Sequence, residues 1–162
     1  MVDVRAARVE ELDDVGDLTV AAYVHDGHLP PDADYVGELR NAAHRAAAAT
    51  VLVAADTDGT IVGTVTYCGP ESAIAEVARA GEAEFRMLAV HPAARGRGVG
   101  ALLAADCVRR ARAQGCRAVV LCVIEGNDGA RRLYERLGFT RVPERDWRPT
   151  ADVALGAFRL AL

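Results

Sequence analysis

Lysine is absent from this chain of 162 residues; all 19 of its basic side chains are arginine. That absence excludes a phosphate-binding loop of the G-x-x-x-x-G-K-[ST] type, a lysine Schiff base and a lysine general base. The four cysteines, Cys68, Cys107, Cys116 and Cys122, show no C-x-x-C spacing, so neither a zinc site nor dithiol redox chemistry is indicated, and reduced thiols in a cytoplasm are expected. No apolar run approaches the ~18–20 residues of a membrane span, and Met1 to Arg8 lacks the apolar centre of a signal peptide. A net charge of −4 disfavours nucleic acid as a partner and favours a cationic or amine-bearing one. With 51% hydrophobic and 26% charged residues the composition is that of an ordinary globular protein, and its length predicts one domain over residues 1–162.

The pattern along the chain predicts a mixed α/β fold with helices on both faces of a central sheet. Val2–Ala7 alternates as a first strand, and Glu10–Tyr23 has the spacing of an amphipathic helix with acids in its first turn. Asp32 is expected to cap a second helix reaching Ala49. Thr50–Ala55 and Thr60–Tyr67 form a hairpin around Asp56-Thr57-Asp58-Gly59. A long connection, with a short helical pattern at Ala73–Ala80, leads to a strand at Glu84–Val90. Gly98–Gln114 reads as a helix with Val99, Leu102, Leu103 and Cys107 inward, ended by Gly115. Ala118–Ile124 is apolar enough to be a strand covered on both faces. A short helix over Asp128–Leu137, a strand at Phe139–Val142, a loop at Arg145–Thr150 and a last strand at Val153–Leu160 complete the order.

The richest stretch lies between the strand ending at Val90 and the following helix: His91-Pro92-Ala93-Ala94-Arg95-Gly96-Arg97-Gly98-Val99-Gly100-Ala101. Three glycines let backbone N–H groups converge where side chains would block approach. The helix start adds unpaired donors and a positive dipole end, a cradle suited to a pyrophosphate with Arg95 and Arg97 as bidentate partners. The dinucleotide fingerprint G-x-G-x-x-[GA] is also satisfied, but its first glycine should follow the strand at once, and here His91 to Arg95 intervene.

Arg95, Gly98 and Gly100 fill the motif [QR]-x-x-G-x-[GA], and Asn127, Ala130, Tyr134, Gly138 and Phe139 fill N-x-x-A-x-x-[LF]-Y-x-x-x-G-F. With these two blocks and its order of elements the chain resembles the GNAT superfamily of acyl-CoA-dependent N-acyltransferases. The resemblance implies a largely antiparallel sheet, acetyl-CoA as co-substrate and direct acetyl transfer to an amine. It implies that the glycine loop (Arg95, Gly96, Arg97, Gly98) and the helix start (Val99, Gly100, Ala101) hold the pyrophosphate. Pantetheine would lie along Leu88, Ala89 and Val90, with Asn127 nearby.

Tyr134 would stand beside the coenzyme sulfur as general acid, Leu88 N–H would face the oxyanion, and Glu84 would be the general base. A small-molecule amine is the expected acceptor, with a peptide or protein amine, or a non-catalytic acyl-CoA sensor, as alternatives. Glu71, Glu76, Glu82 and Glu84 are expected to draw in a cationic acceptor. Cys122 occupies a position where N-terminal acetyltransferases of ribosomal proteins in this superfamily carry a glutamate, which weighs against a protein N-terminus as acceptor. No metal site is expected: His25 and His28 lack a third ligand. The family leaves room for a homodimer.

Overall fold

Strands β1 (Val2–Ala6), β2 (Thr50–Asp56), β3 (Ile61–Cys68), β4 (Glu82–Val90), β5 (Ala118–Ile124), β6 (Thr140–Arg141), β7 (Trp147–Thr150) and β8 (Val153–Ala161) join in one sheet in a computed structural model covering residues 1–162. The order is β1-β2-β3-β4-β5-β8-β6, with β7 also paired to β8. All contacts are antiparallel except β4–β5. The apolar run Ala118–Ile124 takes a central place, as a strand buried on both faces must.

Helices α1 (Leu12–His25), α2 (Val36–Arg40) and α3 (Ala42–Ala48) cover one face, and α4 (Val99–Ala113) and α5 (Asp128–Arg136) the other. Strand alternation divides the core accordingly: Leu52 and Ala54 of β2 pack with Leu103, Cys107 and Tyr134, while Val51 and Val53 pack with Val15 and Ala42. Three of the eight aromatic residues cluster at α5. Phe85, Tyr134 and Phe139 meet edge to face, with ring centroids 5.7, 5.9 and 6.0 Å apart.

Two irregularities shape the site. The parallel pairing of β4 with β5 holds only at Glu82↔Ala118, Ala83↔Val119 and Glu84↔Val120, whereas β5 stays paired to β8 as far as Ile124↔Leu155. The C-terminal half of β4 therefore leaves β5, and a wedge opens between them. Second, Thr64 pairs with Ala89 but Thr66 with Arg86, so β4 carries one extra residue, and Met87 takes a left-handed φ of 54°. Glu84 and Arg86 share one face by alternation; the bulge turns Met87 to that same side, against Ile124 and Val153.

Several expectations are corrected. The predicted helix from Asp32 to Ala49 begins only at Val36 and breaks at Asn41. The Asn41 side chain accepts the His44 N–H at 3.2 Å and starts α3 afresh, the usual competition of Asn with the helix ladder. Ala73–Ala80 forms no helix, because the amides of Glu76, Val77 and Ala78 are taken by the Glu84 carboxylate. The predicted loop at Arg145–Thr150 contains β7, and Leu102 of α4 is 45% exposed rather than inward. No helix is long and apolar enough to cross a membrane.

Candidate active site

The glycine loop folds as its sequence requires. His91 Nδ1 accepts the Ala93 N–H at 3.1 Å, closing a short 3-10 turn at Pro92–Ala94. Gly96 and Gly98 both take φ of 77°, closed to most side chains, and Gly98 is the N-cap of α4. The first backbone bond of α4 runs from Leu102 N–H to Gly98 C=O at 3.1 Å, leaving the preceding amides without intrahelical partners. At Gly100 an added methyl would come within 3.2 Å of Leu133, so α5 packs closely there.

These elements wall a cavity of about 580 Å³ between the end of β4, the start of α4, α5 and the end of α1. Leu88, Ala89, Val90, Arg95, Gly96, Gly98, Val99, Gly100, Ala101, Asn127 and Tyr134 all line it. Arg97 does not; it turns to the β2–β3 hairpin and pairs with Asp56 through bonds of 2.5 and 3.1 Å. Arg95 forms an ion pair with Asp26 at the end of α1. Asp26, His28, Tyr23 and Arg136 also line the cavity. Arg136 follows Tyr134 within α5, whereas no spacing in the sequence brings Tyr23 and Asp26 here, since the end of α1 reaches this site only through the tertiary fold.

Asn127 does two things at once: it lines the cavity, and its Oδ1 accepts the Ala130 N–H at 3.1 Å to cap α5. Tyr134 is 4% exposed, yet its hydroxyl makes no hydrogen bond within the chain and opens to the cavity and the wedge. Burial raises its pKa well above that of a free phenol, so it is a neutral donor at physiological pH.

Through the wedge, past Phe85, Met87 and Cys122, lies a small chamber bounded by Tyr23, Tyr35, Glu76, Glu84, Arg86 and Trp147. The four glutamates expected on this side have different fates. Glu82 has no exposed side-chain surface; burial pushes its pKa up, but Arg145, Arg159 and the Arg79 amide outweigh that and hold it at about 2. Glu84 is 2% exposed and accepts the N–H groups of Glu76 (3.0 and 3.1 Å), Val77 (2.7 Å) and Ala78 (2.9 Å). Burial raises its pKa, and the three amides oppose the shift. Glu71 is exposed and borders neither this chamber nor the large cavity. Glu76 does face the chamber, paired with Arg86. Burial lifts its pKa to about 7, Arg86 opposing and Glu84 adding to the effect. Cys122, half-buried on the same face, has its thiol pushed up to about 12 by burial.

The model of the Acetyltransferase (GNAT) family matches residues 12–139. The chain belongs to the GNAT acetyltransferases. No curated protein matches it, but solved structures do. A GCN5-related N-acetyltransferase from Kribbella flavida is 27% identical, with a TM-score of 0.71 and 99% of this chain and 98% of that one covered. A GNAT acetyltransferase from Staphylococcus aureus Mu50 superposes with a TM-score of 0.76 at 15% identity, covering 99% of each chain. The protein yncA from Salmonella typhimurium, solved with its cofactor acetyl-CoA, gives 0.69 at 21% identity, covering 100% of this chain and 94% of that one.

Membership makes this GNAT protein an acetyltransferase with acetyl-CoA as co-substrate. The residues present fit that donor: α4 opens on free amides behind left-handed glycines, as a pyrophosphate needs, and the cavity continues along β4 to an unpartnered hydroxyl.

Proposed function

We propose that residues 1–162 act as one catalytic unit that transfers an acetyl group directly from acetyl-CoA to a small-molecule amine. The observation that carries this reading is the Tyr134 hydroxyl: carried on a buried ring, without a partner in the chain, and set where the large cavity meets the wedge. The small chamber supports a small acceptor. Enclosed by Tyr23, Tyr35 and Trp147 and only about 30 Å³ in volume, it has room for an amine terminus rather than a folded polypeptide.

In this reading the loop from Arg95 to Gly98 and the amides of Val99, Gly100 and Ala101 bind the pyrophosphate, with Arg95 exchanging Asp26 for a phosphate oxygen. The backbone of Leu88, Ala89 and Val90, with Asn127 across the wedge, holds the pantetheine arm. Arg97, turned to Asp56, contributes to the electrostatic surround instead of the cavity wall. Acetyl-CoA supplies a thioester carbonyl open to an amine and a thiolate able to leave.

The chain's own groups meet the remaining demands. A primary amine with a pKa of ~10 is only ~0.1% neutral at pH 7, a barrier of roughly 4 kcal/mol that a base removes. Glu84, whose carboxylate already serves three amides, is a positioning residue for the Glu76 loop. Glu76, at about 7, is poised to take the proton. The bulge at Met87–Leu88 frees backbone from the β3 ladder, so Leu88 N–H is available to an oxyanion, an interaction typically worth about 3–4 kcal/mol. Tyr134 then donates its proton to the leaving thiolate.

The test is thiol release from acetyl-CoA across a panel of small amines, with the N-acetyl product confirmed by mass spectrometry against a control lacking amine. Turnover with at least one small amine is expected. Tight acetyl-CoA binding with no turnover over the whole panel would make the protein a sensor, and turnover confined to peptides would move the acceptor to that class.

A further inference from the structure

Arg45, in α3, is 3% exposed and has no carboxylate within ion-pairing distance. Its Nε donates to Thr66 Oγ1 at 3.1 Å, and its Nη1 to the carbonyls of Glu38 (2.6 Å) and Leu39 (3.1 Å). Nη2 makes no hydrogen bond within the chain and retains accessible surface. Neutral acceptors alone are weak compensation for a buried cation, since burying a charge is costly without a counter-ion. Burial and the proximity of Arg86 both lower its pKa, the mark of a cation short of negative charge.

Arg45 lines a cavity of about 600 Å³ outside the acetyl-CoA cleft. Arg86, Glu76 and Met87 line it too, and all three also border the small acceptor chamber. Thr66 and Arg86 are directly opposed across β3 and β4, so the Arg45 and Arg86 side chains reach the same face of the sheet. Arg86 is already balanced by Glu76, and Glu84 is spent on amides. The remaining acids of this cavity, Asp34 and Glu38, sit at its exposed rim.

We infer that the acceptor amine also carries a carboxylate, and that Arg45 is the specificity residue that receives it through Nη2. The inference rests on the N-acetyltransferase reading above. It reverses the expectation of a cationic acceptor: of four glutamates on this side only Glu76 and Glu84 reach the chamber, the first paired with Arg86 and the second spent on amides, and the buried cation without a counter-ion, Arg45, lines the outer cavity. An acid-bearing amine would enter through the outer cavity, set its carboxylate on Arg45 and present its nitrogen past Glu76 to the wedge.

The experiment compares kcat/KM for amino acids and short peptides with that for their methyl esters and decarboxylated amines, at saturating acetyl-CoA. The free acids are expected to be preferred by tenfold to a hundredfold, roughly the value of a charge-assisted hydrogen bond made or missed. Arg45→Gln should reduce that ratio to about threefold or less, with coenzyme A affinity by calorimetry unchanged. Because Arg45 also binds the end of α2, a second variant, Arg45→Lys, keeps the charge but loses the fork, and should give an intermediate ratio. The wild-type ratio tests the carboxylate even if both variants unfold, and a preference for the acids that Arg45→Gln leaves unchanged would overturn the role of Arg45. Esters or decarboxylated amines acetylated as well as the acids would overturn the role of Arg45 and leave the acetyltransferase standing. Acetyl-CoA binding with no amine of either kind acetylated would instead overturn the acetyltransferase reading.

Discussion

Glu84 holds Glu76 by its backbone: the buried carboxylate accepts the Glu76 N–H at 3.0 and 3.1 Å, while the Glu76 side chain turns to Arg86. One acid thus places another. Residues 76–78 donate inward to β4 instead of continuing a helix, and the chamber gains a carboxylate that the strand itself does not supply.

Glu84→Gln puts an amide donor where three backbone donors need an acceptor. The expected cost is about 2–3 kcal/mol in urea unfolding, in the range for hydrogen bonds to a charged group. KM for the amine should rise as the Glu76 loop loosens, while acetyl-CoA affinity holds. A pH–rate profile displaced with no loss of stability would instead make Glu84 the base.

For Glu76 the expectation concerns pH. Only its ionised form accepts a proton, so kcat/KM for the amine should fall as the pH drops through about 7. Glu76→Gln should lower kcat/KM by about a hundredfold and flatten that limb. An ascending limb that survives the substitution removes Glu76 from the reaction.

Glu82 carries a different pH signature, in stability. Its folded pKa of about 2 lies below the 4.5 of a free glutamate, so its contribution is complete above pH 4.5 and is lost as the pH falls towards 2. The shift corresponds to roughly 3 kcal/mol. Urea midpoints followed over that window should decline in the wild type. Glu82→Gln should start lower and lose less, because Arg145 and Arg159 are left without their acid. Parallel declines in the two proteins would show that the acid sensitivity lies elsewhere.

Local signals in the sequence were sound where the structure they specify is local. The left-handed glycines at Gly98 and Gly115 bound α4, the Asn127 cap starts α5, and the apolar run Ala118–Ile124 is the strand covered on both faces. The residues of the same blocks line one cavity, Arg97 excepted, but Tyr23, Asp26 and His28 share its wall from α1 and the loop after it. What stayed hidden depends on distant partners. Glu82 meets Arg145 and Arg159 across 63 and 77 residues, and no periodicity announces that pairing. Ala73–Ala80 has helical spacing, but the Glu84 carboxylate outcompetes helix carbonyls for its amides. The extra residue at Met87 is visible only against the register of β3, yet it decides which face Met87 takes and leaves Met87 and Leu88 without register partners in β3.

Tyr134→Phe isolates the proton from the packing. The ring sits between Phe85 and Phe139, and phenylalanine keeps both edge-to-face contacts, so stability should change by less than about 1 kcal/mol. The hydroxyl has no partner in the chain, so its removal strands no donor or acceptor. Its absence should appear in kcat, lowered by about a hundredfold, the usual scale of general acid catalysis. Acetyl-CoA affinity by calorimetry should stay within about twofold, because a proton delivered to the thiolate matters only as the sulfur departs. Weakened affinity with unchanged turnover per bound acetyl-CoA would show that the hydroxyl binds the substrate and does not protonate its sulfur.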